Sequence, residues 1–278
     1  MDPFVFAAVL FAAACHAGWN AAIKKGLDPL ATTVLISIGA ALVAAPFVPV
    51  VGLPAAAAWP WVVASVLIHL VYFAALIESY RAGDMGQVYP IARGSAPLLT
   101  AAGTALLIGE RIGLTAWIGV LLLAAGVVFM SVRGGRDLAR LDRRAVSFAL
   151  FTAVTICAYS LVDARRAGSA HAYSAALFVG IGPVMMVYAL ARRGGGVIAI
   201  MRRHWGTGLA GGALQLGSYG IAIWAMTVAP IAIVAALRET SVLFGALIAV
   251  IVLGEPLKAV RVAAATAIVI GLALIRLH

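Results

Sequence analysis

The chain has 278 residues, 64% of them hydrophobic and 11% charged, with a mean hydropathy of +1.08. So little polar surface cannot cover so much apolar mass, which excludes a soluble globular domain and leaves a chain embedded in lipid. The net charge of +10 would suggest nucleic acid in a soluble protein; here it reports orientation, and no nucleic-acid partner is expected.

A hydrocarbon core of about 30 Å takes roughly 20 helical residues. Ten runs of that size follow one another, near 3–23, 30–51, 60–80, 85–108, 114–132, 145–163, 171–191, 205–227, 230–253 and 260–277. They are continuously apolar rather than alternating, which argues against a β-barrel, and the short connections leave no room for a soluble domain. The expectation is one transmembrane domain over 1–278. The first run lacks a basic leader and its Lys24-Lys25 pair follows the apolar stretch, so 3–23 reads as a retained helix. Cys15 and Cys157 both lie inside apolar runs and suggest neither a disulfide framework nor a metal site; no cofactor is expected.

Polar and aromatic residues interrupt these runs at helical spacing. The first carries His16, Trp19 and Asn20 on one side. In the third, His69, Tyr72 and Tyr80 share a face, with Glu78 turned away from it. Tyr89, Arg93 and Thr100 lie in the fourth, where Pro90 and Pro97 remove backbone donors and predict a local break. The sixth carries Thr152, Thr155, Tyr159 and Asp163, and the eighth Gln215 and Tyr219. In the ninth come Arg238, Glu239, Thr240 and Ser241. Gly208, Gly211, Gly212 and Gly217 read as close helix contacts, and Trp59, Trp61, Trp117 and Trp205, near run ends, as interfacial anchors.

Arg93 and Arg238 are 145 residues apart, and so are Gly109-Glu110 and Gly254-Glu255; the same offset carries Gly126 onto Gly271. Lys24-Lys25 matches Arg165-Arg166 at 141, a small length difference in the early connections. An arginine inside a bilayer-length segment costs about 2.5–3.5 kcal/mol on insertion scales, and one kept at the matched place in each half points to a polar interior. The repeat is a unit of five helices. An odd number makes the second copy enter the membrane the other way, so the expected fold is an all-α membrane protein of ten transmembrane helices. Two inverted five-helix repeats, about 3–132 and 145–277, would surround a central cavity.

Ten helices in 5+5 halves, with Gly109-Glu110-Arg111 closing the fourth and Gly254-Glu255-Pro256 the ninth, resemble the drug/metabolite transporter superfamily in its EamA-like branch. The resemblance implies multi-pass inner-membrane transporters of bacteria, often exporters of amino acids, aromatic ones included, with ten helices around a cavity. Glu110 and Glu255 are expected to fix the loop and its helix start rather than to bind substrate.

A cavity lined by aromatic faces and a few hydroxyl, amide and guanidinium donors suits a small amphipathic molecule bearing a carboxylate. The candidate binding residues are His16, Trp19, Asn20, His69, Tyr72, Tyr80, Tyr89, Arg93, Tyr159, Asp163, Gln215, Tyr219, Arg238 and Ser241. For Arg238 the candidate ion partners are Glu239, Asp163 and Glu78. Nothing resembles an ATP-binding loop, so transport would be facilitated, an exchange, or coupled to ions or protons, with Glu78, Asp163, Glu239 and the histidines as the candidate proton carriers. The alternative reading is a multidrug or organic-cation exporter that depends on these acids; the remote one is an integral membrane enzyme, for which no spaced catalytic set is evident.

Most basic residues outside the runs, among them Lys24, Lys25, Arg81, Arg133, Arg136, Arg140, Arg143, Arg144, Arg192, Arg193, Arg202 and Arg203, fall on one face. The positive-inside rule makes that face cytoplasmic and both termini external, whereas members of the resembling family are often drawn with cytoplasmic termini. In cells whose protein has Cys15 and Cys157 replaced, a cysteine introduced by Asp137→Cys should resist a membrane-impermeant thiol reagent; labelling there would reverse the topology.

Overall fold

The computed structural model describes residues 1–23, 28–83, 85–131, 142–166, 169–253 and 259–276. Among them there are only helices and their links. In order these are α1 (Pro3–Ile23), α2 (Pro29–Ala44), the one-turn α3 (Val48–Val51), α4 (Trp59–Ala82), α5 (Met85–Gly103), α6 (Leu114–Ser131), α7 (Arg143–Arg166), α8 (Ala170–Arg193), α9 (Gly196–Val228), α10 (Ile231–Arg238), α11 (Ser241–Leu253) and α12 (Ala259–Arg276). Among the described residues, eight segments are long and apolar enough to cross a membrane; Leu114–Phe129 is a shorter apolar helix. Taken as spans, α2 with α3 and α10 with α11 each count once.

Local chemistry accounts for several boundaries. Asp28 accepts from the Leu30 and Ala31 amides and so caps α2, with Pro29 at its first position, where a missing N–H costs nothing. Pro46 and Pro49 turn the end of the second run into a 3₁₀ turn (Ala45–Phe47) and α3, and Gly52 at φ 78° stops it in a conformation that favours glycine. Gly109, at φ 72°, likewise ends the fourth span.

Three expectations change. The break predicted at Pro90 and Pro97 is absent: α5 runs through both, and the irregularity comes later, as a π turn over Thr104–Ile108. Pro97 leaves the Arg93 carbonyl without its helical donor, yet the surrounding helix keeps its course. The connection before the eighth run is itself helical, so α9 has 33 residues with a kink at His204 (φ −121°, ψ 22°), just where the apolar run begins. The ninth run, expected as one helix, is broken at Glu239-Thr240. There Glu239, Thr240, Val242 and Leu243 donate to carbonyls three residues back, at 2.9–3.1 Å, in place of the α-helical four. Gly254-Glu255 and Lys24-Lys25 lie outside the described residues.

Contacts between helix ends establish two ends of the bundle. At one, Arg193 of α8 meets Asp28 before α2 at 2.5 Å, and Arg192 meets Glu78 of α4 at 2.6 Å. We call this the basic end. At the other, the Tyr173 hydroxyl near the start of α8 lies 3.2 Å from the Trp61 carbonyl near the start of α4, and Arg276 of α12 lies over the Phe6 ring of α1.

Helix packing is close where side chains are absent. α2 packs on α9 through Gly39, whose added Cβ would strike the Gly208 carbonyl, and through Gly212, which abuts the Gly39–Ala40 backbone. Gly211 faces Ile36, but Gly217 has nothing within 4 Å and is not a contact glycine. α6 packs on α12, where a Cβ on Gly271 would lie 2.6 Å from the Gly119 carbonyl and one on Gly126 would lie 2.9 Å from the Ala264 carbonyl. Elsewhere α4 packs on α7 and α1 on α9, while α5 packs on α7 and α1 on α11. Outward faces stay apolar, with Phe4, Leu106, Leu107 and Ile251 exposed as lipid contact requires.

Candidate functional site

Arg93 lies roughly two turns into α5 from the basic end, and Arg238 roughly two turns into α10 from the opposite end. Both guanidinium groups are therefore about 12 Å deep along their helices. Arg93 is 2% and Arg238 5% exposed. Arg93 had no acid in its own run; the structure supplies one from the break after α10, Glu239, whose Oε2 is 2.9 Å from Arg93 Nε. The pair is electrostatic rather than an aligned hydrogen bond, for neither atom has a hydrogen-bond partner of proper geometry. Nη1 and Nη2 of Arg93 and Nε of Arg238 also lack hydrogen-bond partners among the described residues. Only one of the two guanidinium groups is thus paired with the adjacent carboxylate, and three buried nitrogens retain donor capacity.

The expected partners of Arg238 are assigned elsewhere. Glu78 pairs with Arg81 and Arg192 at the basic end, and Asp163 takes tyrosine hydroxyls. Neighbouring helical residues point about 100° apart, and the break aims Glu239 at Arg93. Arg238 lies instead with its Cζ 4.8 Å from the centre of the Tyr219 ring, and Arg93 with its Cζ 5.8 Å from that of Tyr89. Both charges act on His16, Tyr72, Tyr159 and Glu239, which places these groups in one cluster.

An aromatic layer adjoins the charges. His69 and Tyr72 of α4, Tyr159 of α7 and Tyr219 of α9 meet ring to ring: His69 stacks on Tyr159 with centroids 4.3 Å apart, and Tyr159 stands edge-on to Tyr72 at 5.6 Å and to Tyr219 at 5.3 Å. His69 Nδ1 is 2.8 Å from the Ser65 carbonyl. A carbonyl only accepts, so Nδ1 carries the proton and Nε2 is left as an acceptor. His16 has the other tautomer, because the Trp19 indole N–H donates to its Nδ1 at 3.3 Å. Toward the end opposite the basic one lies Asp163, fully buried, accepting from Tyr173 at 2.8 Å and from Tyr219 at 2.5 Å.

Of the residues singled out in the sequence, His16, His69, Tyr72, Tyr80, Tyr89, Arg93, Tyr159, Asp163, Tyr219 and Arg238 come together. Ser241, also buried, lies beside Tyr89, and Gln215, one turn before Tyr219, has a buried carbonyl oxygen with no partner. Trp19 and Asn20 depart from expectation. Trp19 packs with Ile36 and Leu214 and reaches the cluster only through His16; Asn20 bonds back to the His16 carbonyl. Tyr173, Ser65 and Phe73 were not singled out. Tyr173 lies only ten residues after Asp163, across the α7–α8 turn, and that spacing was the available signal.

A bundle of apolar helices that keeps unsatisfied guanidinium donors beside stacked aromatics at its centre has the layout of a membrane carrier rather than of a structural bundle. The EamA-like transporter family model matches residues 4–132. A crystal structure of a protein 18% identical superposes with a TM-score of 0.71, covering 99% of this chain and 96% of that one. At that identity the likeness is one of fold. Comparison with curated proteins finds no match.

Proposed function

We propose that the protein is a secondary transporter of the inner membrane that exports small amphipathic carboxylates, amino acids including aromatic ones foremost. The observation that carries this reading is the set of unsatisfied, buried Arg93 and Arg238 donors beside the His69–Tyr72–Tyr159–Tyr219 layer. A carboxylate fits the first and an apolar or aromatic body the second.

Movement is proposed to be alternating access between two inverted halves, about 3–132 and 145–277, of a single domain. The packing supports this. The 145-residue offset carries Gly126 onto Gly271 and Gly119 onto Ala264, so the contact of Gly126 with Ala264 becomes that of Gly271 with Gly119. Matching spans in order likewise exchanges α4 on α7 with α9 on α1, and α5 on α7 with α11 on α1. An inverted pair places its site between the halves near the midplane, and the similar depths of Arg93 and Arg238 from opposite ends support that reading.

A cation exporter is the second reading, and Asp163 favours it, because a carboxylate at the edge of tyrosine rings also suits an organic cation. Purified protein in liposomes should move labelled amino acids unchanged and leave nucleosides and cationic drugs behind. Flux of the drugs alone, abolished by Asp163→Asn, would select the second reading, and chemical conversion of the amino acid would point to an enzyme. Flux with and without an imposed proton gradient or trans substrate assigns the coupling.

A further inference from the structure

Glu110 was expected to fix its own turn and the helix start beside it. It holds a helix of the other half instead. Its backbone is tied to the π turn by its N–H on the Thr104 carbonyl at 3.1 Å, while its carboxylate accepts from the Ile231 amide at 2.7 Å and the Ala232 amide at 3.2 Å. These are the first two amides of α10, and Pro230 before them has no N–H to offer. A carboxylate there is charge-assisted and favoured by the helix dipole.

α10 is only eight residues long and buried throughout, and it ends on Arg238 before the break. It is a rod of about 12 Å with Glu110 at one end and the site at the other. The basic end is tied differently, by Arg193–Asp28 and Arg192–Glu78, whose side chains are 23–45% exposed. Both sets of ties join residues of the first half to residues of the second. With both closed, Arg93, Arg238, Glu239 and Asp163 are shut in.

We propose that Glu110 is a positioning residue for transport: its carboxylate straps α10, and with it Arg238, to the end of α5, and release of that strap opens the bundle at that end while the Arg192 and Arg193 ties keep the basic end shut. The proposal rests on the two-half reading above but not on the substrate. By contrast, a residue that merely stabilised the fold would loosen both ends together.

The test uses full-length purified protein with Cys15 and Cys157 replaced and one reporter at a time. Ile231→Cys reports the strapped end, and Ser79→Cys, nearly isosteric and at a fully buried position, reports the basic end. In detergent, with both ends accessible, Glu110→Ala should raise maleimide labelling of the Ile231 reporter about tenfold, the effect expected for a lost charge-assisted bond, and leave the Ser79 reporter unchanged or slower. Glu110→Gln keeps one acceptor oxygen and should fall between Glu110→Ala and the parent. Unchanged labelling at Ile231, or an equal rise at both reporters, would overturn the proposal. No substrate enters this measurement, so failure of amino acid flux would sink the proposed function and leave this result standing.

Discussion

Arg238→Gln should weaken transport of amino acids by about ten- to a hundredfold in apparent affinity, the worth of a charge-assisted hydrogen bond of roughly 1.5–3 kcal/mol, while decarboxylated analogues lose far less. Arg238 is the cleaner of the two arginines to change, because Arg93 is the one paired with Glu239. Removing Arg93 alone strands a buried carboxylate, which costs about 3–5 kcal/mol and confuses binding with folding. Arg93→Gln together with Glu239→Gln removes both charges and keeps the balance. If Arg93 also holds the substrate carboxylate, the double variant should fold and still lose amino acid affinity. Arg238→Lys should also be costly, since an ammonium cannot form the planar fork. Binding or flux assays on both ligand types, with folding checked by size-exclusion profile and thermal midpoint, decide the matter. Normal amino acid transport by Arg238→Gln and by the double variant would end the carboxylate hypothesis, and equal loss for both ligand types with poor folding would assign the arginines to structure.

The second large effect is steric. Gly39→Ala should destabilise the bundle by about 2–3 kcal/mol or more, because the new Cβ would run into the Gly208 carbonyl, which is backbone and cannot swing aside. Gly212→Ala meets the same obstacle from the opposite helix, in the Gly39–Ala40 backbone. Gly217→Ala is the control, since nothing lies within 4 Å of its added methyl group. Thermal unfolding in detergent should show the first two midpoints lowered by roughly 5 °C or more and the third unchanged or raised, alanine being the better helix former. A Gly39→Ala protein as stable as its parent would mean that α2 and α9 are farther apart than they stand here.

What could be read from the chain alone was set by local and one-dimensional physics. The thickness of a bilayer fixes the length of an apolar run, so the ten runs followed from counting, and the kink at His204 falls where the eighth run was expected to start. The repeated Arg and Gly-Glu spacing needed only comparison of the two halves. Membership in a polar interior was also legible for most of the site, because a buried arginine, aspartate or row of tyrosines at helical spacing has few other uses in lipid.

Partners were not legible. Arg93 and Glu239 are 146 residues apart, and Glu110 reaches amides 121 and 122 residues away; which helices adjoin and how each is rotated decides such pairs, and hydropathy carries neither. The same holds for the break at Glu239-Thr240, where the apolar pattern runs on without interruption while the backbone turns to present Glu239 to Arg93. Trp19 left the site for a related reason: it shares a helical face with His16, but α2 and α9 pack over it through Ile36 and Leu214. Sequence determined that this chain spans a membrane and keeps charge inside, since each of these depends on composition and spacing. Only the tertiary structure decided which charges meet, which donors stay unsatisfied and that Glu110 holds the start of α10, since each of these depends on distances between segments far apart in the chain.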